Sequence, residues 1–168
     1  MSSRVLKPLP LTSERFAPYG DVISSSAAGI EVMNEARFQR FGDLAQVNID
    51  DGKESYVSIS IVRSKAPTRL PYEFDMVERH PFGSQAFIPL TRFSFVVVVA
   101  PPGESVESGN LEAFVTNGNQ GINYHRGTWH MPLIALGESQ EFLVVDRAPG
   151  AGNCEECFLE QGLVLESP

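Results

Sequence analysis

Several things are scarce in this chain. Its 168 residues hold two cysteines, three histidines and one tryptophan. Cys154 and Cys157 form a single C-x-x-C in "GNCEECFLE". A structural zinc site closes on four ligands, and no second pair is present to complete one. A thioredoxin-like motif opens a helix after a strand, whereas this pair sits in an acidic tail. Glu155 and Glu156 beside the thiols disfavour the reactive thiolate. The pair therefore reads as inert, with redox or metal use as the alternative. Long apolar runs are also missing. The longest, Phe95 to Ala100, is strand-sized and far short of the ~20 residues a membrane helix needs. The opening "MSSRVLKPLPLTSE" lacks the apolar core of a signal peptide, so a cytoplasmic protein is expected. Positive charge is scarce too. Thirteen Lys and Arg against 21 Asp and Glu give a net charge of −8, and the basic residues are scattered. No basic face exists to track a polyanion, which argues against nucleic acid as a partner. No G-x-G-x-x-G, P-loop or G-x-S-x-G is present, so dinucleotide sites, phosphate cradles and a hydrolase nucleophile elbow are unsupported.

What is present is ordinary globular composition, 42% apolar and 20% charged, in a chain long enough for one domain with a sizeable core. There is no repeat, linker or composition break, so residues 1–168 are expected to form a single domain. "PLTSERFAPYGDVI" predicts one short helix, with Thr12 or Ser13 as N-cap and Glu14 in the first turn. Pro18 and Gly20 stop it. After a polar Ser/Ala stretch at 24–29, strand patterns take over. "LAQVNI", the turn residues Asp51-Gly52 and "SYVSISIVRS" predict a hairpin. Val57, Ile59 and Ile61 alternate with smaller or polar residues, the mark of a half-buried strand. "FSFVVVVAPPG" reads as a strand buried on both faces, and "QAFIPL", "LEAFV" and "QEFLVVDR" as further strands. "PYEFDMVERHP" is compatible with a short helix or an irregular connection. Six to eleven strands about ten residues apart, divided by Gly, Pro and Asn, predict an all-β sandwich or barrel.

The scarce side chains are not spread evenly. "MVERHPFGSQAFIPL" holds Glu78, Arg79, His80 and Gln85. "YHRGTWHMPL" holds Tyr124, His125, Arg126, Trp129 and His130. All three histidines fall in these two segments, each beside a strong strand. Strand ends at the mouth of a barrel are where polar groups converge on a ligand. A single histidine is more often a hydrogen-bonded structural residue; three in two segments favour a site. Trp129 reads as a pocket wall or core residue. Arg63, ending an alternating strand, suits either an exposed salt bridge or a substrate carboxylate.

"ERHPFGSQAFIPL", "FVTNGNQGINYHRGTWHMPL", "FLVVDR" and the early "FAPYGDVI" together resemble the ureidoglycolate lyase family, over nearly the whole chain. That family is similar to the cupins, which implies a cupin-like double-stranded β-barrel of jelly-roll type with a short N-terminal helix. The first cupin motif, His-x-His, four residues and Glu, corresponds here to Glu78-x-His80, four residues and Gln85. The second, Pro-x-Gly-x-x-His, corresponds to His125-x-Gly127-x-x-His130. Arg92 lies near the place of the glycine that closes the first motif. The resemblance thus puts His80, His130, Glu78 and Gln85 at ligand positions. Two His, one Glu and one amide suit a divalent ion such as nickel or manganese, held less tightly than by three His and a carboxylate; a metal-free site is the alternative.

The resemblance implies cleavage of (S)-ureidoglycolate to glyoxylate and urea, in the breakdown of allantoin. The step is an elimination: one group takes the hydroxyl proton as C=O forms, and another protonates the departing ureido nitrogen. Histidine suits either role. His80, His130 and Glu78 are the expected catalytic residues, with Arg63, Gln85, Tyr124, His125 and Trp129 around the substrate. Arginine suits the carboxylate, and Tyr124 or Gln85 the ureido carbonyl. A homodimer is implied as well, which also protects apolar edge strands. The competing class is a non-catalytic cupin that senses or carries a small organic acid.

Overall fold

The computed structural model describes residues 3–26 and 29–168. Residues 27 and 28 of the Ser/Ala stretch lie outside the described set. The N-terminal segment gives β1 (Arg4–Leu6), β2 (Leu9–Pro10), the one-turn helix α1 (Ser13–Phe16) and β3 (Gly20–Ile23). Thr12 is the N-cap: its hydroxyl accepts the Arg15 amide at 3.2 Å. Next come β4 (Ile30–Met33), β5 (Phe38–Phe41), β6 (Tyr56–Arg63), β7 (Tyr72–Arg79), β8 (Gln85–Pro89) and β9 (Phe95–Ala100). The rest of the chain forms β10 (Glu112–Val115), β11 (Gly121–Tyr124), β12 (Trp129–His130), β13 (Ile134–Ala135), β14 (Glu141–Ala148) and β15 (Glu155–Leu165). Strands are more numerous and shorter than the spacing of turn residues predicts, because β2, β12 and β13 have only two residues each.

Two sheets carry the architecture. One has the order β1-β15-β7-β12-β9-β10-β2, with β13 also on β9; the other runs β3-β11-β8-β14-β6. Both contribute to one interior. Phe95, Val97, Val99 and Phe114 from the first meet Phe87, Ile122, Phe142 and Val144 from the second, all at most 8% exposed. α1 plugs this interior with Phe16, whose ring meets Phe114 edge-on at 5.9 Å. The opposite face of the first sheet, with Val96, Val98 and Ala100, is covered by a second cluster that includes Leu6, Leu111, Leu159 and Leu163. β9 is thus buried on both sides, as its unbroken apolar run predicts. The result is the expected cupin-like β-barrel with one short helix.

Two expectations change. The 44–49 segment is not a strand; Ile49 makes only an isolated bridge to Gly83. β6 pairs instead with β14 along all eight of its residues, from Glu141↔Arg63 to Ala148↔Tyr56. A local turn signal at Asp51-Gly52 therefore lost to a partner some eighty residues away. "PYEFDMVER" is the strand β7, gripped by β15 from Glu155↔Arg79 to Leu165↔Tyr72, with a bulge between Phe158 and Leu163. The alternation of β7 is broken: Phe74 and Val77, three residues apart, are buried in one cluster, on either side of the point where the β15 register shifts. β4 and β5 form a separate two-stranded hairpin. No helix among the described residues is long and apolar enough to cross a membrane.

Candidate active site

Strand register places the two histidine-bearing segments together. β12 meets β7 at a single pair, His130↔Glu78, and meets β9 through Trp129↔Ala100 and His130↔Val99. Gly127 N–H donates to the His80 carbonyl at 3.0 Å, which draws the loop before β12 over the end of β7. One ligand atom from each of Glu78, His80 and His130 lies within 4.8 Å of the other two. The two imidazole rings are 5.1 Å apart, centroid to centroid.

Each imidazole is held by a backbone carbonyl. His80 Nδ1 is 2.6 Å from the Asn153 carbonyl, and His130 Nδ1 is 3.0 Å from that of Thr128. A carbonyl only accepts, so both Nδ1 atoms carry a proton, and in the neutral ring the lone pair is then at Nε2. His130 Nε2 is buried without a hydrogen-bond partner among the described residues and points toward Glu78 Oε1 at 3.6 Å. Burial, then the neighbouring His80, pushes the His130 pKa down to about 3. The ring is thus a neutral base at any ordinary pH. Tyr124 stacks flat on it, 4.3 Å away and 15° from parallel. The Tyr124 hydroxyl is buried and unpartnered, and desolvation, then Glu78, raises its pKa.

The second sheet supplies the facing wall. Tyr124↔Gln85 and Gln85↔Asp146 are register pairs, so the three side chains share a face. Gln85 Nε2 donates to Asp146 Oδ2 at 3.2 Å. The turn before β15 adds Cys154, whose Sγ is 3.5 Å from Glu78 Oε2. Burial, then Glu78, pushes its thiol pKa up to about 11.

A family model described as ureidoglycolate lyase matches residues 3–166. The chain is 47% identical over 158 residues to a ureidoglycolate lyase of Pseudomonas fluorescens (strain SBW25), covering 94% of this chain and 93% of that protein. It is 44% identical over 165 residues to one of Pseudomonas syringae pv. tomato, covering 97% and 96%. The chain belongs to the ureidoglycolate lyase family.

Within this family member, the expected site residues divide. Glu78, His80 and His130 come together, with Tyr124 against His130 and Gln85 beside Tyr124. Trp129 does not join them. Adjacent to His130 on a strand, it points to the other face, into the cluster with Ala100 and Met131. Its Nε1 donates to the Gly103 carbonyl at 3.1 Å, and the Arg79 guanidinium lies over its ring at 4.8 Å. Arg63 shares the outer face of β6 with Val57, Ile59 and Ile61, and binds Glu141, its register partner. It sits five residues along the strand from Ser58, the partner of Asp146, or about 17 Å at ~3.3 Å per residue. His125 turns outward to Asp21, 3.1 Å away, in a cleft of about 430 Å³ that also holds Arg126, Asn48 and Ser84. Sequence reasoning missed Asp146 and Asn153, and it read Cys154 as one of an inert pair with redox or metal use as the alternative. Asp146 was open to it, because an acid inside "FLVVDR" at the parity of Phe142 and Val144 must face the interior. Asn153 carries no such signal, and the C-x-x-C spacing of Cys154 does not say where it lies; the fold of the 150–154 turn brings both in.

Proposed function

We propose that this family member is a carbon–nitrogen lyase of the amidine-lyase type, cleaving (S)-ureidoglycolate to glyoxylate and urea in allantoin breakdown. The observation that supports this most is the pair of imidazoles with both Nδ1 protons tied to carbonyls, which leaves both Nε2 atoms for proton transfer, beside Glu78. It fits an elimination that must move one proton off oxygen and another onto nitrogen. His130, buried and neutral, takes the hydroxyl proton as C=O forms. Glu78, 3.6 Å from its Nε2, stabilises the imidazolium so made. His80, half-buried and open to water, serves as the acid when a proton from solvent occupies its Nε2: it gives that proton to the departing ureido nitrogen, and the proton taken by His130 returns to solvent, so the step balances. Tyr124 and Gln85 are the donors available to the ureido carbonyl.

The donor set also suits a divalent cation. Carbonyl-fixed Nδ1–H groups are how metal-binding histidines are usually oriented, and a buried imidazole nitrogen without a partner is costly unless something occupies it. Glu78, His80 and His130 would hold the ion. Gln85, committed to Asp146 on the opposite sheet, is a weak fourth candidate. A bound nickel or manganese ion would supply positive charge to the substrate's carboxylate and hydroxyl oxygens. This matters because each arginine near the mouth is engaged: Arg79 with Glu155, Arg126 with the Pro81 carbonyl, and Arg147 with Asp50.

In this reading the 168 residues work as one domain in the cytoplasm, with the small-molecule substrate as ligand and a second copy as partner. Purified protein incubated with ureidoglycolate should release glyoxylate and urea in equal amounts. Binding without turnover would instead make it a sensor or carrier of a small organic acid. Chelation followed by resupply of nickel or manganese separates metal-assisted from metal-free elimination.

A further inference from the structure

Cys154 is the residue of the C-x-x-C that the reaction leaves unused, and it lies against the site. Two hydrogen bonds put it there. The Asn153 carbonyl accepts from His80 Nδ1, and the buried Asn153 side chain accepts the Phe82 amide at 2.8 Å through Oδ1. The turn is thereby clamped over residues 80–82, and the next residue delivers its thiol to Glu78. Cys157 takes no part. It is the register partner of Val77, next to Glu78 but on the opposite face, and it packs against the apolar cluster there. Both thiols are free.

Glu78 is therefore flanked on both sides. Its Oε1 faces His130 Nε2 at 3.6 Å and its Oε2 faces Cys154 Sγ at 3.5 Å. The second observation is His130 itself. Its side chain is 3% exposed, and its Nε2, without a hydrogen-bond partner among the described residues, is aimed at the other oxygen of the same carboxylate. Two donors on one tetrahedral ion, at about 2.3 Å for sulfur and about 2.0 Å for oxygen, sit roughly 3.5 Å apart. The Cys154–Glu78 Oε2 spacing matches that edge, although the ligand atoms that lie within 4.8 Å of one another are those of Glu78, His80 and His130, so the thiol joins them only by turning inward.

We propose that Cys154 is the fourth ligand of a cation site formed with Glu78, His80 and His130, and that this makes the site selective for thiophilic divalent ions. The inference rests on the reading of those three residues as the donor set. Cys154 reaches the ion from the carboxylate oxygen turned away from His130, and its exposed side chain is free to rotate inward. On binding, the S–H bond breaks, the electron pair goes to the metal and the proton leaves to water. A sulfur ligand favours zinc, cadmium or cobalt(II) over magnesium and manganese. The cupin-type set of three His and a Glu would not discriminate in this way.

The test uses full-length protein stripped with chelator and titrated with cobalt(II) without substrate. Wild type should show the visible bands of a low-symmetry cobalt site together with a thiolate-to-cobalt charge-transfer band in the near ultraviolet. Cys154→Ser should keep the visible bands, lose the near-ultraviolet band and bind cadmium ~10–100-fold more weakly. Cys157→Ser should match wild type. Mass-spectrometric footprinting adds an arm that needs no variant: bound cadmium should protect Cys154, and not Cys157, from iodoacetamide. A charge-transfer band that survives in Cys154→Ser would overturn the proposal. So would cobalt bound to wild type without that band, no cobalt binding at all, or equal alkylation of Cys154 with and without cadmium. Glyoxylate release is measured separately, so a protein inactive on ureidoglycolate that still shows thiolate ligation separates failure of the activity from failure of the site.

Discussion

At the scale of single residues, burial decides what a substitution reports. A histidine at a barrel mouth contributes little packing if it is exposed. His130, however, is 2% exposed and stacked on Tyr124. His130→Ala would remove a buried ring and confuse a catalytic loss with a cavity. His130→Gln fills most of the space and cannot act as a base. It should lower kcat for glyoxylate release by ~10²-fold or more, and His80→Gln should do the same. Melting temperatures measured on the same preparations check that the loss is chemical; wild-type turnover in a folded His130→Gln protein would remove His130 from the mechanism. The depressed His130 pKa gives a second prediction, for metal-free protein. The folded state holds this ring neutral down to pH about 3, while the unfolded chain protonates it near pH ~6.5. Between those values the unfolded state binds the extra proton, so His130 costs stability progressively as pH falls from 6.5, by at most about 1.4 kcal/mol per pH unit. Chemical denaturation at pH 7.5 and 5.5 should show a smaller acid loss in His130→Gln than in wild type. Trp129 shows where residue-scale reading stops. Its rarity and its place beside His130 suggested a ligand contact, but strand parity sends neighbours to opposite faces. Trp129→Phe should cost about 1–3 kcal/mol, from the lost bond to Gly103 and the weakened Arg79 contact, and leave KM unchanged.

At the scale of elements, the site depends on how closely strands approach. Gly20 is opposite Tyr124 in the β3–β11 ladder. A Cβ there would lie 2.0 Å from the Asn123 carbonyl oxygen and 2.9 Å from the Phe16 ring. Gly20→Ala must therefore push β3 off β11 or displace α1. Tyr19, next to Gly20, accepts the His125 amide and the Thr128 hydroxyl through its carbonyl, so the same shift moves the loop that carries His130. The substitution should cost about 1–3 kcal/mol and lower activity as well. A variant with wild-type melting temperature and wild-type kcat would contradict this coupling. Elements also show why part of the fold was legible from sequence and part was not. β9 could be read because both of its faces are buried, so every position is apolar. β14 and β8 could be read from bounded apolar runs. The false 44–49 strand arose because a turn dipeptide reports only local geometry, while β6 found its partner in β14. β7 was undecidable because its buried residues Phe74 and Val77, three apart, break its period of two. Glu78, His80 and His130 stood out as rare residues in motif spacing. Cys154 stood out as a scarce residue but its place beside Glu78 did not, because a hydrogen-bonded turn sets it and no periodicity announces it.

At the scale of the molecule, the five-stranded sheet has an apolar face that no described residue covers. Val57, Ile59 and Ile61 are 47%, 72% and 53% exposed in a strand whose alternation predicts burial. Register adds Leu143 beside Ile61, Val145 beside Ile59 and Ile88 beside Leu143, so the apolar rows continue across three strands. The β4–β5 hairpin has the same character, with Ile30, Val32 and Phe38 all more than half exposed; an isolated two-stranded ribbon is marginal in water without something to pack on. Contiguous apolar surface rimmed by polar residues marks an interface, and the symmetric solution is a two-fold dimer in which the same patch meets itself. Sedimentation at micromolar concentration should therefore give twice the 18.4 kDa chain mass. Ile59→Lys combined with Ile61→Glu puts charge on this face but leaves the barrel interior, Glu78, His80 and His130 untouched. The pair should shift the protein to monomer and lower its melting temperature, through the loss of covered apolar area rather than of core packing. Monomeric wild type would show that the β6 row stays wet in solution. A charged variant that still sedimented as a dimer would move the interface off this sheet and leave the β4–β5 hairpin as the contact to test next.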